Sequence, residues 1–307
     1  MILVTGSKGL IGTALIDYFT NQNISFQSFD LSYPHDNYNH GDILNLKSPS
    51  ITFENITGVV HLAAVSRVIT AENNPQDAWL TNTMGTYNLL NALYNTQHKP
   101  WFIYASSREV YGQQTKFPVS ETATLLPMNH YAYSKFSAEK IVHTFKERGM
   151  KTQVLRFSSV YGATNDHPDR VIPAFCQAAI QKKPLRIDGR DNILDFTHVK
   201  DVARGIFKTI TALEQNKPMP PAIHLTSGTP TSLYQLANLA QNISGHTCEF
   251  IDAPQRVYDV SKFYGDPTLA HEVLGWKTNV TLESGLSMLI RDYMDLEQKQ
   301  AVNVTNY

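Results

Sequence analysis

Tyr131 and Lys135 stand four residues apart in a stretch of helical character, residues 131–148. Side chains at i and i+4 share one helix face. An ammonium beside a phenol favours the phenolate and draws the tyrosine's pKa toward working pH. Such a pair can act as general acid and base, with a serine as second hydrogen-bond partner. Ser106 and Ser107 close an earlier apolar run, where a hydroxyl reaches the ligand edge of a sheet, and Arg108 and Glu109 follow. By itself the Tyr–Lys spacing also fits an ordinary surface pair.

A second cluster suits phosphate. Gly6, Gly9 and Gly12 lie between an apolar run, residues 2–4, and a helical pattern that includes Leu15, Ile16 and Phe19. A strand that turns sharply into a helix aims free N–H groups and the helix dipole at a diphosphate. Gly6 permits the turn, Gly9 lets phosphate approach, and Gly12 lets helix and strand pack closely. The spacing is G-x-x-G-x-x-G, and alone it also fits a glycine-rich turn. Asp30 ends the next strand pattern, residues 24–29. A carboxylate there can accept both ribose hydroxyls of an adenosine and repel a 2′-phosphate, which favours NAD over NADP. The plainer alternative is an ordinary strand-end acid.

These residues need a frame. Strand-like runs recur at 59–63, 102–105, 153–157 and 223–225, with helical patterns at 75–97, 131–148 and 199–213 between them. The alternation implies βαβ units and a parallel sheet with helices on both faces. After Phe157 the regularity loosens into Pro-, Gly- and Asp-rich segments at 162–168, 183–192, 218–221 and 252–267. They read as a second, smaller domain covering the carboxyl ends of the sheet. The tail, 301–307, is polar and expected to fray.

With 307 residues the chain can bury about three quarters of its unfolded surface. Lys+Arg 26 against Asp+Glu 27, with no basic block, gives no pointer to nucleic acid. No apolar run approaches a membrane span. Met1 leads straight into the first strand, so no signal peptide is expected. Cys176 and Cys248 are too few for a disulfide framework and lack metal spacing, so no metal is expected. A cytoplasmic enzyme fits this composition.

Thr5 to Gly12, His61-Leu62-Ala63-Ala64, Ser106 to Gly112 and Tyr131 to Lys135 stand in an order and at intervals that resemble the extended short-chain dehydrogenase/reductases. Within them the chain is most similar to the nucleotide-sugar epimerase/dehydratase family. Residues 82–90, 156–162, 196–201 and 274–276 extend the likeness over nearly the whole chain. The resemblance implies an α/β fold: a Rossmann-type doubly wound parallel sheet with a smaller, discontinuous α/β substrate-binding domain. The NAD-binding domain would take residues 1–160 with returning segments near 195–228. The substrate-binding domain would take 161–194 and 229–300.

The resemblance also implies roles. Gly6, Gly9 and Gly12, with Leu10 and Ile11 between them, would hold the NAD pyrophosphate, and Asp30 the adenosine ribose. Asp42 and Ile43 would contact the adenine. Leu62, Ala63 and Ala64 would line the far side of the cofactor, with Asn82 nearby. Ser107, Tyr131 and Lys135 match a catalytic triad. Tyr131 would take the proton of a sugar hydroxyl, usually at C4, while hydride passes to NAD. Lys135 would hold the nicotinamide ribose and depress the Tyr131 pKa, and Ser107 would share the substrate oxygen. Family members pair through the helices at 75–97 and 131–148, so a homodimer is expected.

Departures bear on the reaction. Family 4,6-dehydratases read Thr-Asp-Glu where this chain reads Ser107-Arg108-Glu109. Arginine donates no proton near neutral pH, while Glu109 keeps a base. Arg108 is placed on the substrate side, or else pairs with a nearby acid. Ser159 stands where the family often has Asn, and Leu194 where it often has a phosphate-binding Arg. Arg256 and Arg190 are the candidate replacements, Arg190 more as a turn residue after Gly189. His198, His61 and Asn88 read as structural. The leading expectation is a nucleotide-sugar 4-epimerase, for UDP-sugars, working through a transient 4-keto intermediate. The alternatives are a dehydratase or decarboxylase using Glu109 as base, and a non-catalytic dinucleotide sensor.

Overall fold

A computed structural model describes residues 1–46 and 51–304. The first half runs β1 (Ile2–Thr5), α1 (Leu10–Asn21), β2 (Phe26–Phe29), β3 (Gly58–His61), α2 (Val68–Asn73), α3 (Pro75–Trp79), α4 (Thr86–Tyr94), β4 (Trp101–Ser107) and α5 (His130–Glu147). Next come β5 (Thr152–Phe157), β6 (Ser159–Tyr161), α6 (Val171–Ile180), β7 (Leu185–Asp188), β8 (Ile193–Leu194), β9 (Phe196–His198) and α7 (Val199–Glu214). The chain ends with β10 (Ala222–Leu225), β11 (Thr231–Ser232), α8 (Leu233–Ser244), β12 (Phe250–Ala253), α9 (Thr268–Leu274) and α10 (Leu282–Val304).

Six strands form one parallel sheet in the order β10-β5-β4-β3-β1-β2. Their runs of Val, Ile and Leu are buried on both faces, as a sheet covered by helices on either side requires. One core layer joins Val4, Leu15, Phe19, Ile206 and Leu225. The other joins Leu3, Leu89, Phe102, Val142 and Val154. From β1 the chain goes to β2 on one side and then crosses to β3 on the other. Ligands bind outside the carboxyl ends of strands at such a reversal.

The helical stretch expected at 75–97 is not one regular helix. Between α3 and α4, residues Leu80–Gly85 form a turn of π-helix. Such turns insert an extra residue per turn and often stand at functional sites. After β5, β6 pairs with β9, β7 with β12 and β8 with β11, around a separate cluster that includes Phe175, Leu185, Leu236, Leu286 and Leu289. α9 packs elsewhere: Ala270, Leu274 and Trp276 join the core under α7. Trp276 Nε1 donates to the Asp201 carbonyl at 2.9 Å. α10 continues to Val304, into the tail expected to fray. Residues 305–307 lie outside the described residues. Among the described residues, no helix is long and apolar enough to cross a membrane.

Asp195, beside the Leu194 departure, is a structural joint. It is fully buried and accepts from the Ser227 amide and hydroxyl at 2.9 Å each, the Gly228 amide at 2.8 Å, and the Thr226 hydroxyl. A buried carboxylate stands only where such donors replace water. It thereby ties the loop after β8 to the loop after β10.

Candidate active site

The carboxyl ends of β1, β3 and β4 open onto a cavity of about 890 Å³. Gly6, at φ 70°, sits so close to β3 that a Cβ would lie 2.5 Å from the Ala63 nitrogen. At Gly12 a Cβ would lie 2.2 Å from the Gly6 carbonyl oxygen. Only glycine fits either place. α1 begins at Gly9 with no side-chain cap. The first turn of a helix leaves backbone N–H groups unpaired, and Leu10, Ile11 and Gly12 line the cavity. This cradle is the right size and polarity for the diphosphate of a dinucleotide such as NAD.

Asp30 lines the same cavity, its carboxylate oriented by the Lys8 amide at 2.9 Å and the Ser32 amide at 2.8 Å. Asp42 accepts from the Leu44 amide at 2.8 Å, and Ile43 beside it is buried. Both face the cavity, as do Leu62, Ala63 and Ala64. Asn82 does not. It is 1% exposed and lies behind the wall in the π-helical turn. There it accepts from the Val65 amide at 2.8 Å and donates to the Val65 carbonyl at 3.0 Å and the Ser134 hydroxyl at 2.9 Å. Its side chain shapes the wall, because all its polar atoms are taken by protein.

Ser107, Glu109, Tyr131 and Lys135 converge on the cavity. Ser107 caps the 3₁₀ turn Arg108–Tyr111 by accepting from the Glu109 amide at 3.2 Å. Asn129 caps α5 by accepting from the Ala132 amide at 2.8 Å, which fixes Tyr131 in the first turn. Lys135 Nζ donates to the Ala105 carbonyl at 2.9 Å and lies 6.0 Å from the centre of the Tyr131 ring.

The expected depression of Tyr131 by Lys135 is not what the site shows. Burial raises the Tyr131 pKa above the ordinary phenol value, and Glu109 adds to the rise. A hydrogen bond with Ser107, then Arg170 and Arg108, pull it back. Burial draws Lys135 down to about 7, with Glu139 opposing. Desolvation disfavours whichever form is charged, so it moves phenol and ammonium in opposite directions.

Glu109 is not a free carboxylate. Arg108 pairs with it at 2.8 Å, and Asn129 Nδ2 donates to it at 3.2 Å. Arg108 therefore does pair with a nearby acid. Its guanidinium stacks 5.7 Å from the Phe263 ring centre, and among the described residues its buried Nη1 has no hydrogen-bond partner. Ser159 and Arg256 line the cavity. Arg256 is half exposed and paired with Asp259 at 2.8 Å. Arg190 is tied to Asp252 at 2.8 Å and stacked on Tyr234, the turn-residue role. His61 bonds Thr5 and Thr86 in the core, His198 accepts from the Lys200 amide as a helix cap, and Asn88 donates to the Leu44 carbonyl.

Sequence reasoning missed the far rim. Arg67, Asp166, His167, Asp169, Arg170 and Arg186 all line the cavity. Arg67 pairs with Asp169, and Arg170 with Asp166 at 3.4 Å. The one local signal was the i,i+4 spacing of Asp166 and Arg170; nothing local joins Arg67 to a residue so distant in the chain.

The family model "NAD dependent epimerase/dehydratase family" matches residues 2–221. A UDP-glucose 4-epimerase from Lacticaseibacillus casei is 30% identical over 305 residues, covering 91% of this chain and 92% of that protein. A GDP-6-deoxy-D-talose 4-dehydrogenase from Aggregatibacter actinomycetemcomitans is 31% identical over 281 residues, covering 89% and 91%. The solved structure of the UDP-glucose 4-epimerase of Thermotoga maritima with UDP-glucose superposes with a TM-score of 0.85 at 28% identity, covering 96% of this chain and 99% of that one.

Proposed function

The chain belongs to the NAD-dependent epimerase/dehydratase family, and on that premise we propose that it is a 4-epimerase of UDP-sugars. One observation carries the choice of reaction. Ser107, Tyr131 and Lys135 face the cavity, while the carboxylate a dehydratase would use as base is held in an ion pair by Arg108. The identity to UDP-glucose 4-epimerases supports the nucleotide and the carbon.

The chemistry that bound NAD would supply is a hydride acceptor at the sugar carbon and a donor for its return. The phenolate form of Tyr131, favoured against burial by the Ser107 hydrogen bond, Arg170 and Arg108, takes the proton of the C4 hydroxyl and later gives it back, through a transient 4-keto sugar. The Ser107 hydroxyl holds the same substrate oxygen. The Lys135 ammonium holds ribose hydroxyls. Asp30 accepts from the adenosine ribose, and the amides of the turn before α1 hold the pyrophosphate. Arg256 and the unpartnered Nη1 of Arg108 are donors for substrate oxygens.

Proton NMR in D2O with a panel of UDP- and dTDP-sugars tests this. Inversion at C4 with no solvent deuterium incorporated is expected. Deuterium at C5 with loss of water or of carboxylate would favour the second reading, in which Glu109 is a base; that reading has in its favour that Glu109 lines the cavity beside Tyr131. Full turnover by Glu109→Gln would exclude it.

The assembly proposed is a homodimer. Trp79 at the end of α3, Leu80 and Met84 in the π-helical turn, Tyr87 on α4 and Tyr133 on α5 are large apolar side chains left exposed. Together they suit a four-helix contact with a second copy. Sedimentation at micromolar concentration should show a dimer. The near-neutral charge and two free cysteines suit the cytoplasm.

A further inference from the structure

Behind the cavity wall lies a buried cluster that this reaction does not use. Glu139 stands one turn after Lys135 and two turns after Tyr131, so the three share a face of α5. Its side chain is 1% exposed. Its carboxylate accepts from Arg156 Nε at 3.0 Å and Nη2 at 2.7 Å, and from the Ser106 hydroxyl. Ser106 and Arg156 are register partners on β4 and β5. One carboxylate thus ties the strand that carries Ser107 to the helix that carries Tyr131 and Lys135. Arg156 carries the network onward, its Nη1 donating to the Tyr111 hydroxyl at 2.7 Å and the Glu121 carbonyl at 3.0 Å.

The charges matter as much as the geometry. Lys135 is buried, 3% exposed, at the cavity wall. The titratable groups that face it are Tyr131 and Glu139 on α5, Tyr104 on β4 and His61 on β3. Burial keeps His61 neutral, near 3, and holds the Tyr104 phenol well above its usual range. Among these groups Glu139 is the one carboxylate, held by Arg156 and Ser106 one helical turn after Lys135. A buried charge without a counter-charge is costly.

We propose that Glu139 is a positioning residue for the reaction: anchored by Ser106 and Arg156, its carboxylate supplies negative charge one helical turn from Lys135 and keeps Ser107, Tyr131 and Lys135 in register. The proposal rests on the reading of Tyr131 and Lys135 as the reacting pair.

The test titrates Lys135 directly, in protein labelled with ¹³C at the lysine ε-carbon and assigned with the Lys135→Arg variant. In the native chain the midpoint should lie at about 7. In Glu139→Gln it should fall by about one unit or more. Turnover in that variant should drop roughly 10- to 100-fold with KM little changed, the pattern of a group acting on the transition state. Glu139→Gln leaves Arg156 buried without a counter-charge, so the double variant E139Q/R156M, which removes both charges, serves where the single one does not fold. A folded variant with the native midpoint overturns the proposal. Failure of both variants to fold also overturns it, since the cluster would then serve folding alone. The titration needs no substrate, so a native chain inert toward every UDP-sugar would sink the functional reading and leave this test intact.

Discussion

An arginine–glutamate pair stands on each side of the cavity wall. Arg108 and Glu109 line the cavity 2.8 Å apart; Arg156 and Glu139 lie behind it 2.7 Å apart. The distances are nearly equal, but the surroundings are not. Behind the wall, three nitrogens of Arg156 and both oxygens of Glu139 have protein partners. At the wall, Arg108 keeps a buried Nη1 with none. A buried pair contributes to a frame when every donor and acceptor is met. A pair with a spare donor beside a cavity is suited to binding an oxygen from outside the chain. Ion-pair geometry alone therefore does not separate frame from site; the count of unmet donors does.

The comparison can be broken in four places. The largest expected effect is behind the wall: Arg156→Met leaves the Glu139 charge buried and unpaired, and should cost about 3–5 kcal/mol of stability in denaturant melts. A loss below 1 kcal/mol would make the inner pair no firmer than the outer. At the wall, Tyr131→Phe should cut turnover by about 10²–10⁴-fold while the melting temperature holds within a few degrees. The interior should also be the acid-sensitive part. Burial holds His61 and His224 down to about 3, so both stay neutral in the folded chain. Below about 6.5 the unfolded chain binds more protons than the folded one, and stability falls as pH falls from there toward 3. Each should remove on the order of 1 kcal/mol per pH unit, visible in melts at pH 7 and pH 5. The smallest effect is expected of Arg108→Met, about 1 kcal/mol or less of stability. Arg108 lowers the Tyr131 pKa and Glu109 raises it, so this variant should move the pH–rate profile upward. A profile that stays put would remove Arg108 from the reacting end.

Much of the site was legible because its parts are local. The glycine turn, Asp30 at a strand end, and Tyr131 with Lys135 on one helix face each lie within a single strand or turn of helix, where spacing and side-chain direction are set by backbone geometry. What was not legible depends on residues far apart in the chain. Asn82 was expected beside the cofactor, yet a π-helical turn directs it to Val65 and Ser134 behind the wall. Arg67 and Asp169, 102 residues apart in the chain, meet at the cavity lining.

The amino-acid sequence by itself determined the sheet-and-helix alternation, the tight glycine turn before α1 and the placement of Tyr131 and Lys135 on one helix face. Only the tertiary structure decided that Glu109 is paired with Arg108, that burial rather than Lys135 dominates the Tyr131 pKa, and that Glu139 is held by Arg156 and Ser106 one turn after Lys135. The reason is physical. Periodicity and spacing report which side chains share a face, whereas charge state and hydrogen-bond satisfaction depend on how far water is excluded and on which distant groups replace it.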